Sequence, residues 1–213
     1  MHKEVQLVLI THDTINCQWV SDSCRLPVIL HMQPQPSLNA RKKFWRNCSI
    51  VLRLKKLFNI VKLEGDAVFA HLPDENKERF DDIQELIESI YFKYKTQVQQ
   101  ITLNTDCDCN ACILISSLDL KFFVHYGPYI VQDIAGIKEL VGSDVNLIHR
   151  LTKNKITKHT GWKAYALFTE NSFPENYMKK DDMYVHYESY DHLEEVKTFN
   201  VNLLDWFKNS SRK

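Results

Sequence analysis

Short apolar runs broken by polar turns dominate the chain. The stretch KEVQLVLI, residues 3–10, is rich in β-branched positions and predicts a first strand. Two more apolar runs flank Glu64-Gly65-Asp66 in VKLEGDAVFAHLP, which predicts a tight β-hairpin, because Gly and Asp are ordinary residues for a strand reversal. After a charged start, Phe80, Ile83, Ile87, Ile90, Tyr94 and Val98 recur at steps of three and four and mark the buried face of a helix. NTDCDCNAC reads as a loop. LDLKFFVHYGPYIVQDIAG then predicts two strands separated at Gly127-Pro128, and GSDVNLIHRLTK a helix opened by Ser143 or Asp144 as its N-cap. WKAYALFT and EEVKTFNVNLL predict the last strands. Between Asn16 and Asn47 no period holds. Helices that alternate with strand pairs imply an α+β fold, a sheet with helices on one face.

At 213 residues and 44% hydrophobic composition the chain suits one domain, or one domain with an extension. The expected division is an irregular segment with the first strand at 1–50, a main domain at 51–205 and a flexible tail at 206–213. Formal charge balances to zero, which leaves no field drawing the protein to nucleic acid or an anionic membrane. The longest apolar runs, such as FFVHY and LVLI, are too short for a bilayer, and the start does not resemble a signal peptide. A cytoplasmic setting is expected, and its reducing chemistry disfavours disulfides among the six cysteines.

Cys107, Cys109 and Cys112 fall within the six residues CDCNAC. Three convergent thiolates suit a partial Zn²⁺ site, with a fourth ligand from Cys48, a histidine or a cysteine of a second subunit. Reduced, unligated loop thiols fit the same pattern equally well. His125 lies in an apolar strand, where a hydrogen-bonded structural role is expected, and His149 sits beside the polar helix face, also structural.

Taken in order, the hairpin KLEGDAVFA, the strand LKFFVHYGP and the helix GSDVNLIHRL resemble the class III adenylate and guanylate cyclase catalytic domains. The resemblance runs from about Phe58 to Phe173 and is closest to an uncharacterised bacterial branch with a Cys-x-Cys-x-x-Cys loop. It implies a ferredoxin-like antiparallel sheet and a head-to-tail homodimer that joins the ribose 3′-oxygen of ATP or GTP to the α-phosphorus. Two divalent ions, Mg²⁺ or Mn²⁺, would be held by an aspartate after the first strand and by the hairpin aspartate, here Asp66. Lys62 matches a base-contacting lysine. Asn146 and Arg150 match an Asn-x-x-x-Arg pair in which the first orients the ribose and the second meets phosphate. Spacing of four puts both on one helix face, and a guanidinium fork suits phosphate oxygens.

The chain departs from that pattern in two places. Asp13 stands near the first metal position, yet no Gly-Phe-Thr follows it, and Lys197 lies a few residues beyond the expected phosphate-binding lysine. A two-metal centre short of one carboxylate loses most of its rate, so cyclisation is expected to be weak or lost. The alternative is a non-enzymatic dimerisation or sensor module whose zinc- or redox-active cysteine loop carries the function. The codons for Pro36 to Cys48, read from each third base, permit ISE(C/R)xEEVLEEL. That string has the period of the helix such domains carry before the hairpin, which points to a frame disruption in the gene.

Overall fold

The computed structural model describes residues 3–12, 57–64, 67–72, 79–103, 119–175, 177, 183–191 and 193–210. Eight strands form one sheet. They are β1 (Lys3–His12), β2 (Asn59–Glu64), β3 (Ala67–Leu72), β4 (Leu120–Ile134), β5 (Ile137–Val141), β6 (Tyr165–Thr169), β7 (Tyr184–Glu188) and β8 (Val196–Asn202). Their order is β2-β3-β1-β4-β6-β8-β7, with β5 paired to β4. All pairs are antiparallel except β4 with β6, which run parallel from Lys121↔Tyr165 to Val124↔Phe168. The helices among the described residues are α1 (Phe80–Leu103), α2 (Ser143–Leu151), α3 (Ile156–Thr160) and α4 (Leu203–Ser210), and a 3₁₀ turn covers Glu170–Ser172.

The α+β class is as the order of elements implies and the largely antiparallel sheet as the resemblance implies, whereas the helices cover both faces rather than one. The reason lies in the central strands. β6 is buried at all five positions, and Phe122, Phe123 and Val124 of β4 are fully buried, so neither face can be left to water. Side chains alternate between faces along a strand. Val68, Ala70, Phe122, Val124, Ala166 and Phe168 therefore meet α1 and α4, and Ala67, Phe69, Phe123, Tyr165 and Leu167 meet α2 and α3. On α1, Phe80, Ile83, Ile87, Ile90 and Val98 are buried as the spacing predicts; Tyr94 is only partly so, and Tyr91 joins the buried face. Tyr91 donates its hydroxyl to Asp119 at 2.9 Å, and Lys95 reaches the other carboxylate oxygen at 3.0 Å.

β4 runs unbroken through Gly127-Pro128, and the chain reverses later, at Ala135-Gly136, where both residues have positive φ. Between positions 125 and 129 the strand pairs with β1 alone: the pairing with β6 stops at Val124↔Phe168, and that with β5 starts at Ile130↔Val141. A missing amide is tolerated on such an open side, and so a proline survives inside the strand. Residues 203–210 form a helix where the sequence suggests a tail from 206. Among the described residues no helix is long and apolar enough to cross a membrane.

Candidate functional site

α2 is the element that displays the matched polar pair. Val145, Ile148 and Leu151 are buried on one side, in the cluster with Phe69, Phe123 and Leu167. That burial leaves Asn146 and Arg150 exposed together on the other. Arg150 donates Nη1–H to the carbonyl of Asp191 at 2.8 Å, in the segment between β7 and β8. One bond to a neutral carbonyl uses one of five guanidinium donors. Lys62 is exposed on β2 and pairs with Phe69 across the hairpin. Directly paired residues share a sheet face, and Phe69 packs against His149 of α2 at 4.9 Å between ring centres, so Lys62 stands on the α2 side of the sheet. Asp13, Asp66, Cys48, Cys107, Cys109 and Cys112 lie outside the described residues. Among the described residues no group of three or more His, Cys, Asp or Glu side chains converges as a metal site requires.

The start of α2 is built differently from the expected side-chain cap. Gly142 occupies the N-cap with φ 153°, a left-handed conformation that favours glycine, and no side chain caps the first turn. A Cβ there would come within 3.4 Å of the Pro128 carbonyl, an ordinary contact, so it is the positive φ that calls for glycine. Ser143 gives its hydroxyl to Asp144 Oδ2 at 2.8 Å, and Asp144 Oδ1 lies 2.8 Å from Nε2 of His125. The pull of a tertiary partner has outweighed the local amides as a target for Asp144. Room for this carboxylate exists because position 127 has no side chain: a Cβ on Gly127 would fall 2.6 Å from Asp144 Cγ and 2.8 Å from its Cβ.

His125 is buried, and its second nitrogen, Nδ1, lies 2.8 Å from Thr169 Oγ1. Thr169 Oγ1 is in turn 3.1 Å from Ser172 Oγ, which donates to the carbonyl of Val124 at 2.9 Å. The Thr169 hydroxyl can point its proton at Nδ1 when the ring is neutral, or at Ser172 when Nδ1 is itself protonated. Both states keep the Nε2–H donor on Asp144, so the bond survives a change of ring charge. The hydrogen bond from His125 is the largest influence on Asp144 and, with that from Ser143, holds its carboxyl below the ordinary range against the opposing effect of burial.

A cleft of about 480 Å³ opens beside this pair, and its lining includes His125, Asp144, Leu147, Thr169, Glu170 and Lys197. Lys197 is engaged with Glu170 at 2.8 Å, and that bond raises its pKa. The resemblance to cyclase domains marks Asn146, Arg150 and Lys62, but it does not reveal the contacts of Asp144, Gly127 or Thr169. The only signal for them is a histidine inside an apolar strand, which needs polar partners once buried.

The fold recurs in solved cyclases. The adenylyl cyclase CyaB from P. aeruginosa is 13% identical, with 94% of each chain covered and a TM-score of 0.60. The guanylyl cyclase Cya2 is 11% identical over 94% of this chain and 92% of that one, with a TM-score of 0.61. A bacterial light-regulated adenylyl cyclase is 16% identical, covering 98% of this chain and 57% of its own, with a TM-score of 0.57. The protein thus has the fold of adenylyl and guanylyl cyclase domains. By sequence it is 32% identical over 106 residues to "Uncharacterized protein Rv2561/Rv2562" of Mycobacterium tuberculosis, covering 50% of this chain and 49% of the other. The chain thus spans about half the length of the curated relative it matches. A family model matches residues 49–160, more than half of the sequence, and the chain belongs to that family, described as "Protein of unknown function (DUF2652)".

Proposed function

We propose that this chain is a cyclase-homology domain that binds a purine nucleoside triphosphate, ATP or GTP, with cyclisation weak or lost. The observation that carries this reading is the exposure of Asn146 and Arg150 together on a helix whose opposite side is anchored in the core of a cyclase-like sheet. A buried-and-anchored helix gives the arginine a fixed base from which a planar fork can meet phosphate, and Asn146 offers both a donor and an acceptor to a ribose hydroxyl. Lys62, on the same side of the sheet, is the candidate for base contact. In a head-to-tail homodimer, Lys62 and the hairpin of one protomer would face the Asn146–Arg150 helix of its partner.

Mg²⁺ or Mn²⁺ enters this reading through Asp66 with Asp13, whose hard carboxylate oxygens suit either ion. The limits on turnover come from the chain's own residues. Asp13 lacks the flanking residues of the cyclase signature, and Lys197 is held by Glu170 rather than presented to a phosphate. Residues 51–205 form the nucleotide-binding unit in this account.

The test is product formation. Purified protein with Mn²⁺ and ATP or GTP is assayed for the 3′,5′-cyclic nucleotide, with Asp66→Ala as control. The expected result is nucleotide binding with little or no product. Robust product that vanishes in Asp66→Ala would show a complete metal pair and refute the loss of cyclisation. Neither product nor binding would leave the cysteine loop as the functional element.

A further inference from the structure

The nucleotide reading assigns Asn146 and Arg150 but does not say what fixes the angle at which α2 presents them. We infer that His125 and Asp144 are positioning residues for that face, acting together as a latch that holds the first turn of α2 on β4. This inference rests on the proposed nucleotide site.

Three observations carry it. First, α2 is entered through Gly142, a left-handed glycine, with no side chain capping the turn. Glycine permits a wide range of entry angles, so the local backbone does not set the direction of the helix. Second, the polar anchor of the first turn to the sheet is Asp144, bonded at 2.8 Å to a histidine that is itself 1% exposed. Third, the strand beneath has been cleared for this contact, because any side chain at Gly127 would overlap the Asp144 carboxylate. The apolar residues Val145, Ile148 and Leu151 hold the helix down, but apolar burial is non-directional and does not by itself fix rotation about the helix axis. The latch removes that freedom at the end where Asn146 sits.

The hydroxyl chain through Thr169 and Ser172 gives the latch its rigidity. His125 cannot flip to another rotamer without abandoning both Asp144 and Thr169, each at 2.8 Å. Side chains with both ends hydrogen-bonded in a buried site are poor at reorganising, since every alternative leaves a polar atom unsatisfied. The histidine touches neither a nucleotide nor a metal in this account. Its action on the ligand passes entirely through Asp144 and the helix.

The experiment measures affinity for ATP and GTP with Mn²⁺, by calorimetry on the full chain at a temperature where every variant is folded by circular dichroism. His125→Leu and Asp144→Ala should each weaken binding about tenfold. The double variant should be no weaker than either single one, because both remove the same bond. His125→Gln keeps an amide donor for Asp144 and should recover most of the loss. A role confined to stability would lower the melting temperature of the variants and leave the affinity of the folded protein unchanged. If His125→Leu does not fold, Asp144→Ala, in a partly exposed first turn, still decides the matter. Wild-type binding that neither substitution changes overturns this inference alone. Absence of wild-type binding overturns the nucleotide site, and the positioning role with it.

Discussion

Gly127→Ala should destabilise the protein, and the damage should depend on Asp144. The added methyl would lie 2.6 Å from Asp144 Cγ and 2.8 Å from its Cβ, closer than real Cβ atoms approach. The carboxylate must therefore leave, and His125, buried on all sides, loses the partner of Nε2. An orphaned buried polar group costs about 1–3 kcal/mol. Backbone strain adds nothing, because Gly127 is not among the residues with positive φ. In an Asp144→Gly background the overlapping atoms are gone. There the same methyl should be neutral or stabilising by about 0.4–1 kcal/mol, through a less flexible unfolded chain. The two changes should therefore be coupled by about 2 kcal/mol. Urea titrations followed by circular dichroism would resolve this, since slopes of about 1–3 kcal/mol/M turn it into a midpoint difference near 1 M. Additivity of the two substitutions within about 0.5 kcal/mol would refute the account of how α2 is seated.

Asp144 also makes stability depend on pH. Its folded pKa is lowered below the ordinary value of about 3.9, so its contribution is fully present above that value and is lost as pH falls through the folded pKa. The stability gap between wild type and Asp144→Asn should shrink below about pH 4, and a gap unchanged from pH 7 to pH 3 would be contrary evidence. Asp119→Ala strips partners from both Tyr91 and Lys95 in a site where the Lys95 and Asp119 side chains are 13% and 9% exposed; it should cost about 3 kcal/mol by urea unfolding. Asp119→Asn retains an acceptor for Tyr91 and should cost less. Resequencing the encoding DNA should reveal an inserted or missing base before the codon for residue 49, where the family match begins. A continuous frame with expressed full-length protein would rule that out.

Much of the fold can be read directly from apolar spacing. Phe80 to Val98 give the face of α1, Val61 to Leu72 the hairpin, and Val145, Ile148 and Leu151 the buried side of α2, because one-sided burial imposes a period. β7 is missed since it lies at the sheet edge with Tyr184, Val185 and Tyr187 exposed, which breaks the alternation of a covered strand. The break expected at Gly127-Pro128 is absent because what a proline does in a strand depends on which neighbours are paired there, a property of topology. Ser143 and Asp144 look like caps in isolation, yet Ser143 bonds Asp144, and Asp144 bonds His125, nineteen residues away in the chain. Local composition identifies the polar residues of α2; only the sheet register decides whom they meet.

The most direct measurement is equilibrium binding of ATP and GTP to the intact protein with Mn²⁺, comparing wild type with Arg150→Ala. Saturable binding of one nucleotide that drops at least tenfold in Arg150→Ala, with an unchanged melting temperature, is the predicted result. Binding indifferent to Arg150, or no binding of either nucleotide, would contradict the assignment of this helix face to nucleotide.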